Sequence, residues 1–390
     1  MAHHPAPAIV LAPDKFKGSL TAPAVCAALA RGLVRVWPDA DVRMCPMADG
    51  GDGTLDAVLA RGGERRKRSV TGAGGRSHSA PYGVLNGPNG RTAVLEVAQI
   101  VGITDPEGMA VPVARRTTRG VGELLRALLD EGVRSFMIGL GGSSTNDAGA
   151  GLLAALGLKL VDARGAAVAP TPEGLAALAR VDATALDARI EEAAITIMSD
   201  VNNPLCGVQG ASAVFGPQKG VRDGEIAAFD ATLAHFAALA EQATGRSAAA
   251  NPGAGAAGGL GFALQLIGAS FRSGAEVVAG LVGLDAALAG ADWAITGEGR
   301  TDAQTLLAKA PAIVALHARA ADVPVTLLSG AVDSAALPEL GKMFAGCFAL
   351  PGGPLTLAEC IADADTLVAD RAEQIARLWA AARPPAAFTR

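Results

Sequence analysis

The chain opens with an apolar run, "AIVLA" at 8–12, followed from Leu20 to Val36 by apolar residues recurring at helical spacing. The first pattern is that of a strand buried on both faces and the second that of an amphipathic helix. "DVRMCPMA" and "TLDAVLA" repeat the alternation, so the first 60 residues predict a βαβα unit on a parallel sheet. From about 68 to 98 the pattern changes: "SHSAPYGVLNG" and "RTAVLEVAQI" alternate around "NGPNG" and predict an antiparallel hairpin, with a second hairpin expected at "LKLVDARGAAVAP". Further on come a helix near 119–130, a buried strand "RSFMIGLG", a helix near 147–156, a strand "AAITIMS", and helices across 222–243 and 258–289. "DWAIT", a helix over 303–320, the strand "VPVTLLS" and a last helix near 364–381 then return to βα alternation.

This distribution predicts a discontinuous α/β architecture. Residues 1–67 and 290–390 form a Rossmann-like parallel-sheet domain, and 68–289 form an inserted α+β domain, with an active-site cleft expected between them. No internal repeat is visible, and disorder is expected only in the last few residues. A chain of 390 residues is long for one core, which agrees with two domains.

Composition narrows the functional classes. Half of the residues are hydrophobic but only 4% are aromatic, as suits helices packed closely on a sheet. A net charge of −5 gives the whole molecule no electrostatic reason to bind nucleic acid or an anionic membrane. The one basic run, "RRKR" at 65–68, reads as a solvated face near a domain boundary. Five cysteines without a CxxC pair point to free thiols and a cytoplasmic location. The N-terminal apolar run is cut by Pro13 and Asp14, so it is not read as a signal peptide, and no apolar stretch has the length of a membrane span.

The chemistry gathers where strands are expected to end. "PDKFKGS", "MADGGDGT", "GGSSTNDAGAG", "SDVNNPLCG" and "TGEGRTDAQT" each follow a predicted strand, and open α/β sheets bind ligands outside the carboxyl ends of their strands. Lys15 and Lys17 precede a helix whose first turn follows Ser19 or Thr21; they are either an anion site or two solvated lysines beside a Ser19 N-cap. Asp49 and Asp52 sit among Gly50, Gly51 and Gly53. Asp52 is as well suited to capping the next helix as to catalysis, and Asp49 is the sharper candidate; the glycines read as room for a ligand beside the backbone.

In "GLGGSSTNDAGAG", Gly141 and Gly142 allow close approach of an anion, while Ser143, Ser144 and Thr145, with Asn146 and Asp147, add polar groups before a helix. The loop lacks the GK[ST] ending of a Walker motif. Asp200, Asn202 and Asn203 suit hydroxyl recognition or magnesium held through water, against the plainer account of an Asx-turn. Glu298, Arg300 and Asp302 set a cation between two acids, as a clamp on a carboxylate or phosphoryl group would require, although Thr301 or Asp302 also suits an N-cap. Two patterns fail on context. Gly253, Gly255 and Gly258 match GxGxxG with Glu276 downstream, yet no strand precedes them, and the five histidines show no metal spacing.

Taken together, "APDKFKGSLTA", "MADGGDGT", "GLGGSSTNDAGAG", "SDVNNPLCG", "GAAGGLGFA" and "TGEGRTDAQT" resemble the type I glycerate kinase family, in the family's order and over nearly the whole chain from Ile9. The resemblance implies transfer of the ATP γ-phosphoryl group to D-glycerate with Mg2+, and a two-domain fold with one Rossmann-like domain. The expected product is 2-phosphoglycerate rather than 3-phosphoglycerate. Phosphoryl-transfer chemistry then distributes the roles. Lys15, Lys17 and Arg300 take the anionic groups of glycerate and the γ-phosphate, with Asn202 and Asn203 on the substrate. Gly141 to Asp147 take ATP phosphates, and Asp200, Glu298 or Asp302 the metal. Asp49, Asp52 or Asp200 are left for base or metal duty. The alternatives are a kinase of another small sugar acid or alcohol, and a glycerate or nucleotide sensor that has lost turnover.

Overall fold

The computed structural model describes residues 6–87, 90–307 and 309–382. The tip of the "NGPNG" turn, one residue of the helix expected over 303–320, and the C-terminal residues expected to be disordered lie outside them. Two compact units result. The first comprises the chain up to Asp49, Asp56–Arg61 and the chain from Ala275 onward; the second comprises Gly50–Leu55 and Gly62–Gly274. These crossings differ from the expected 67/68 and 289/290. The strand Glu64–Thr71, which carries the basic run, hydrogen-bonds into the second unit's sheet, and the helices Gly274–Leu281 and Leu284–Leu288 fall almost wholly in the first unit.

The first unit holds a five-stranded parallel sheet in the order Gly346–Ala349, Val325–Ser329, Trp293–Thr296, Ala8–Leu11, Asp41–Met44. Ile9, Val10 and Leu11 have no exposed surface and Trp293–Thr296 is buried throughout, which is why these strands read as unbroken apolar runs. From Ala8–Leu11 the chain winds outward one way to Asp41–Met44 and, from Trp293–Thr296, the other way to Gly346–Ala349. The order therefore reverses between Ala8–Leu11 and Trp293–Thr296, and the carboxyl ends of those two strands form the topological switch point of a doubly wound sheet. The strand Gly346–Ala349 was not anticipated, since its residues are only partly buried and show no alternation.

One face of this sheet carries Ala22–Val34 packed against Ala364–Ala382. Trp379 of the last helix stacks on Trp293 (centroids 5.2 Å apart, planes at 13°) and meets Trp37 edge to face at 5.6 Å. The Trp293 indole Nε1 donates to Thr326 Oγ1 at 3.0 Å, so the buried ring leaves no polar atom without a partner.

The second unit holds a six-stranded mixed sheet in the order Ser270–Arg272, Ala194–Met198, Ser135–Gly139, Gly90–Glu96, Ser77–Gly87, Glu64–Thr71. The first four run parallel; Ser77–Gly87 pairs antiparallel with Gly90–Glu96, as the anticipated hairpin, and antiparallel on its other side with Glu64–Thr71. Glu64–Thr71 is an edge strand whose charged residues are exposed or half-buried, a usual way of blunting an edge. The helix Arg119–Asp130 buries Val121, Leu124, Leu125, Leu128 and Leu129 on one side, as its spacing predicts. The second expected hairpin forms in short: Val161 and Ala167 make one antiparallel bridge, with Asp162 N on Ala166 O and Val168 N on Leu160 O, while Lys159–Val161 pairs on its other side with Arg180–Asp182. Ser270–Arg272 interrupts the region expected to be helical throughout 258–289, being too short to show a period.

Replacing Trp293 with Phe removes the indole donor and leaves the Thr326 hydroxyl buried alone. Urea unfolding followed by circular dichroism is expected to show a loss of about 1–3 kcal/mol, the scale for orphaning a buried polar group; an unchanged midpoint would show that the bond adds nothing.

Candidate active site

In the first unit, parallel pairing continues past the ends of the strands. Ala12 N bonds Ile295 O at 2.8 Å, Asp14 N bonds Gly297 O at 2.8 Å, and Met47 N bonds Pro13 O at 2.8 Å. These bonds carry the three chains forward in step, so that Asp14, Asp49 and Glu298 emerge together at the switch point. The Asp14 carboxylate accepts the Lys15 amide at 2.6 Å. Its pKa is nevertheless raised to about 8, first by burial and then by the charge of Asp49, with Glu298 adding and the Lys15 amide and charge opposing.

Glu298 is 8% exposed and is raised by burial. Its Oε1 accepts Thr305 Oγ1 at 2.5 Å and Thr301 Oγ1 at 3.0 Å, and these hydroxyls, with Lys309, partly offset the rise. Gly297 is required here, because an added Cβ would stand 1.7 Å from Leu328 O. Asp302 caps the turn Ala303–Leu306, accepting Gln304 N at 2.8 Å, so the capping account holds for one of its oxygens. Arg300 is exposed on the two-residue strand Arg300–Thr301, Lys15 is half-buried, and Lys17 is exposed with its amide beside Gly299. Thr21, not Ser19, caps Ala22–Val34; Ser19 Oγ donates instead to Phe16 O.

In the second unit, the loop after Ser135–Gly139 is held by three charged side chains almost wholly out of water. Arg116, 3% exposed, donates to the carbonyls of Met109, Val111, Ser144 and Lys219 at 2.8–3.0 Å. Lys219, 1% exposed, donates from Nζ to Ser143 Oγ at 2.9 Å and Thr145 O at 2.8 Å. Asp147, with no exposed surface, accepts the amides of Thr118, Gly149 and Gly151 and the Thr118 hydroxyl.

The loop residues therefore divide. Ser144 donates to Val101 O and Asp147 accepts the backbone amides of Thr118, Gly149 and Gly151, so these two side chains hold the loop. Gly142 is exposed, Gly141 half-buried, and Ser143 stands at the surface end of the loop with 5% exposure. Thr145 and Asn146 are buried, and Thr145 Oγ1 and Asn146 Oδ1 have no hydrogen-bond partner among the described residues. The "GAAGGLGFA" segment is a packing partner of this loop: Ala257, Gly258 and Gly259 take left-handed conformations, and a Cβ on Gly258 would stand 2.0 Å from Thr145 O. No strand precedes it, so the glycine pattern there is no dinucleotide fingerprint.

Asp200 and Asn202 are exposed in the loop after Ala194–Met198, whereas Asn203 Nδ2 donates to Gln209 O at 2.8 Å. Asp49 and Asp52 fall in different units. Asp52 is exposed, and the Leu55 amide at the start of the following helix donates at 2.5 Å to Glu96, a buried carboxylate of the sheet. Gly50 and Gly51 leave space for protein rather than ligand: a Cβ on Gly50 would meet Met198 O at 2.6 Å, and one on Gly141 would meet Gly51 Cα at 2.6 Å.

Sequence reading did not single out Asp14, Lys219 or Arg116. For Asp14 a signal existed, a carboxylate two residues beyond a fully apolar strand. For Lys219 and Arg116 none did, because their burial is decided by packing. Among the described residues no three His, Cys, Asp or Glu side chains converge on a metal position, and no helix is long and apolar enough to cross a membrane.

A doubly wound sheet whose switch point gathers carboxylates and cations, with a Gly-rich loop fixed by buried charges, is the framework of an α/β enzyme. The model of the glycerate kinase family matches residues 9–380, and the chain belongs to that family. It is 42% identical over 332 residues to the glycerate kinase of Bacillus subtilis (strain 168), covering 83% of this chain and 85% of that one. It is 39% identical over 331 residues to the glycerate 2-kinase of Escherichia coli (strain K12), covering 83% and 85%. A crystal structure from Salmonella typhimurium LT2, named as a candidate glycerate kinase 2, superposes with a TM-score of 0.84 at 39% identity, over 97% of this chain and 99% of that one.

The raised Asp14 pKa has a thermodynamic consequence. The folded state keeps a proton that the unfolded chain releases near pH 4, so stability falls as pH rises from about 4 towards 8. Asp14→Asn removes that loss. Its Tm at pH 8 is expected to exceed that of the unsubstituted chain by about 5 °C or more, with the gap closing towards pH 4; a gap independent of pH in differential scanning calorimetry would contradict the assignment.

Proposed function

We propose that the chain transfers the γ-phosphoryl group of ATP to the 2-hydroxyl of D-glycerate with magnesium. The observation that carries the reading is the crowding of Asp14, Asp49 and Glu298 at the switch point, beside Lys15 and with Arg300 on the same strand exit as Glu298. Transfer to an alcohol needs a carboxylate for the hydroxyl proton, cations for the anionic groups and a metal on the phosphates. The choice of the 2-hydroxyl is supported by the Escherichia coli relative's description as a glycerate 2-kinase.

Magnesium suits this carboxylate group although no three-ligand cluster stands ready. The ion keeps several waters and phosphate oxygens and uses one or two protein carboxylates. Asp14, whose ionised form is disfavoured by Asp49 and Glu298, is the kind of carboxylate that a cation relieves. Asp14 and Asp49 would hold the metal and accept the substrate proton between them, with Glu298 adding charge; when bound, magnesium would neutralise charge on the phosphates. Glu298 and Asp302, expected as ligands, each have one oxygen already engaged by protein donors, which leaves the other for such a role. Asp200 and Asn202 keep the part of hydroxyl or metal-water contacts, with Asn203 beside them. Lys15, Lys17 and Arg300 take the glycerate carboxylate and the γ-phosphate. The backbone of Gly141 and Gly142 with the hydroxyls of Ser143 and Thr145 takes phosphate oxygens.

Two measurements test this. Incubation with D-glycerate, ATP and magnesium, followed by enolase with and without phosphoglycerate mutase, is expected to give enolase product without the mutase; a requirement for the mutase would move the phosphate to the 3-hydroxyl, and no ADP release would remove the reading. Asp49→Asn is expected to lower kcat by at least about 100-fold, the scale of acid–base catalysis, without unfolding. Near-normal turnover would take Asp49 out of the mechanism.

A further inference from the structure

The loop 142–146 is unusual in what it leaves unbonded. Among the described residues the amides of Ser143, Thr145 and Asn146 meet no acceptor, the Thr145 hydroxyl has no partner, and the Asn146 carboxamide oxygen meets no donor. Native interiors rarely orphan several donors within one loop, and here three amides and a hydroxyl lack an acceptor on either side of the bonded Ser144, so the pattern marks a place prepared for an acceptor from outside. Directly beneath lies the Lys219 ammonium, bonded to Ser143 Oγ and Thr145 O. Because Lys219 fills the acceptor side of the Ser143 oxygen, the Ser143 proton points elsewhere, and Ser143 is the residue of the polar run nearest solvent.

We propose that Lys219 is the positioning residue of a cradle for a phosphoryl oxygen of the nucleotide, built from the amides of Ser143, Thr145 and Asn146 and the hydroxyls of Ser143 and Thr145. It touches no ligand itself. It fixes the loop through Thr145 O, aims the Ser143 hydroxyl outward, and places a positive charge behind the orphaned amides.

Two charged groups face this ammonium. Asp147, in the same loop, favours its charged form; Arg116, from the segment before Arg119–Asp130, opposes it. Burial outweighs both and lowers the Lys219 pKa to about 7. A phosphoryl oxygen arriving on Ser143 would supply the missing negative charge, so binding and protonation of Lys219 are coupled. Above pH 7 an increasing share of the free protein holds Lys219 neutral, and apparent affinity for nucleotide falls with that share.

The inference rests on the kinase reading above, and one series of steady-state measurements separates the two. At saturating magnesium, the KM for ATP of the unsubstituted chain is expected to rise roughly ten-fold between pH 6.5 and 8.5, with the KM for glycerate changing much less. Lys219→Met is expected to raise the KM for ATP about ten-fold or more at pH 6.5, the scale of one charge-assisted hydrogen bond, and to abolish its pH dependence. Ser143→Ala serves where the Met variant fails to fold. It is expected to raise the KM for ATP similarly, and combining it with Lys219→Met should add little, as for residues acting through one bond. Turnover with a Lys219→Met or Ser143→Ala profile identical to that of the unsubstituted chain would overturn the role of Lys219 and leave the kinase reading standing. An unsubstituted chain that releases no ADP overturns both.

Discussion

An ammonium, a guanidinium and a carboxylate lie out of water within one loop system of the second unit, and the conformation of that loop depends on the hydrogen bonds they make. Removing a charge from water costs several kcal/mol unless hydrogen bonds replace the lost hydration. Arg116 meets the cost with four carbonyls and Asp147 with three amides and a hydroxyl. Each bond fixes a backbone group, so the charges dictate where the chain turns. The small residues of "GAAGGLGFA" complete the arrangement by letting a second backbone approach, with Ala148 N bonding Gly258 O at 3.0 Å. A loop built this way is held in one conformation before a ligand arrives, and preorganised anion recognition needs that.

The first unit shows the opposite use of the same physics. Its strand-exit carboxylates are crowded rather than neutralised, and Asp14 holds its proton to about pH 8 because burial and Asp49 both oppose its charge. Such an arrangement is unfavourable for stability and favourable for a group that must accept a proton or a cation. The tryptophan stack of Trp37, Trp293 and Trp379, and the helix pair Ala22–Val34 and Ala364–Ala382, anchor the sheet that holds these residues in place.

The legible parts of the sequence were those in which local pattern and tertiary role coincide. "AIVL", "WAIT" and "VTLLS" read as strands because both faces of each are covered, and the Gly-rich and acidic segments read as site loops because they follow such strands. Gly346–Ala349 escaped because its residues are only partly buried, and Glu64–Thr71 because an edge strand rich in Arg carries no apolar period. In the candidate site, Lys15, Asp49, Ser143 and Glu298 stood out by position. Asp14 was passed over beside two lysines, and Lys219 could not be seen, since nothing in "PQKG" says that its ammonium will be buried under a loop more than seventy residues away. For the same reason the bonds that Ser144 and Asp147 make within the loop could not be seen from the sequence.

The central claim is that Lys219 holds the 142–146 loop ready for a phosphoryl oxygen of the nucleotide that the proposed reaction uses. The most direct measurement is a crystal structure with D-glycerate, magnesium and a non-hydrolysable ATP analogue. The account predicts phosphate oxygens on the amides and hydroxyls of Ser143 and Thr145. A nucleotide bound with its phosphates away from that loop would contradict it.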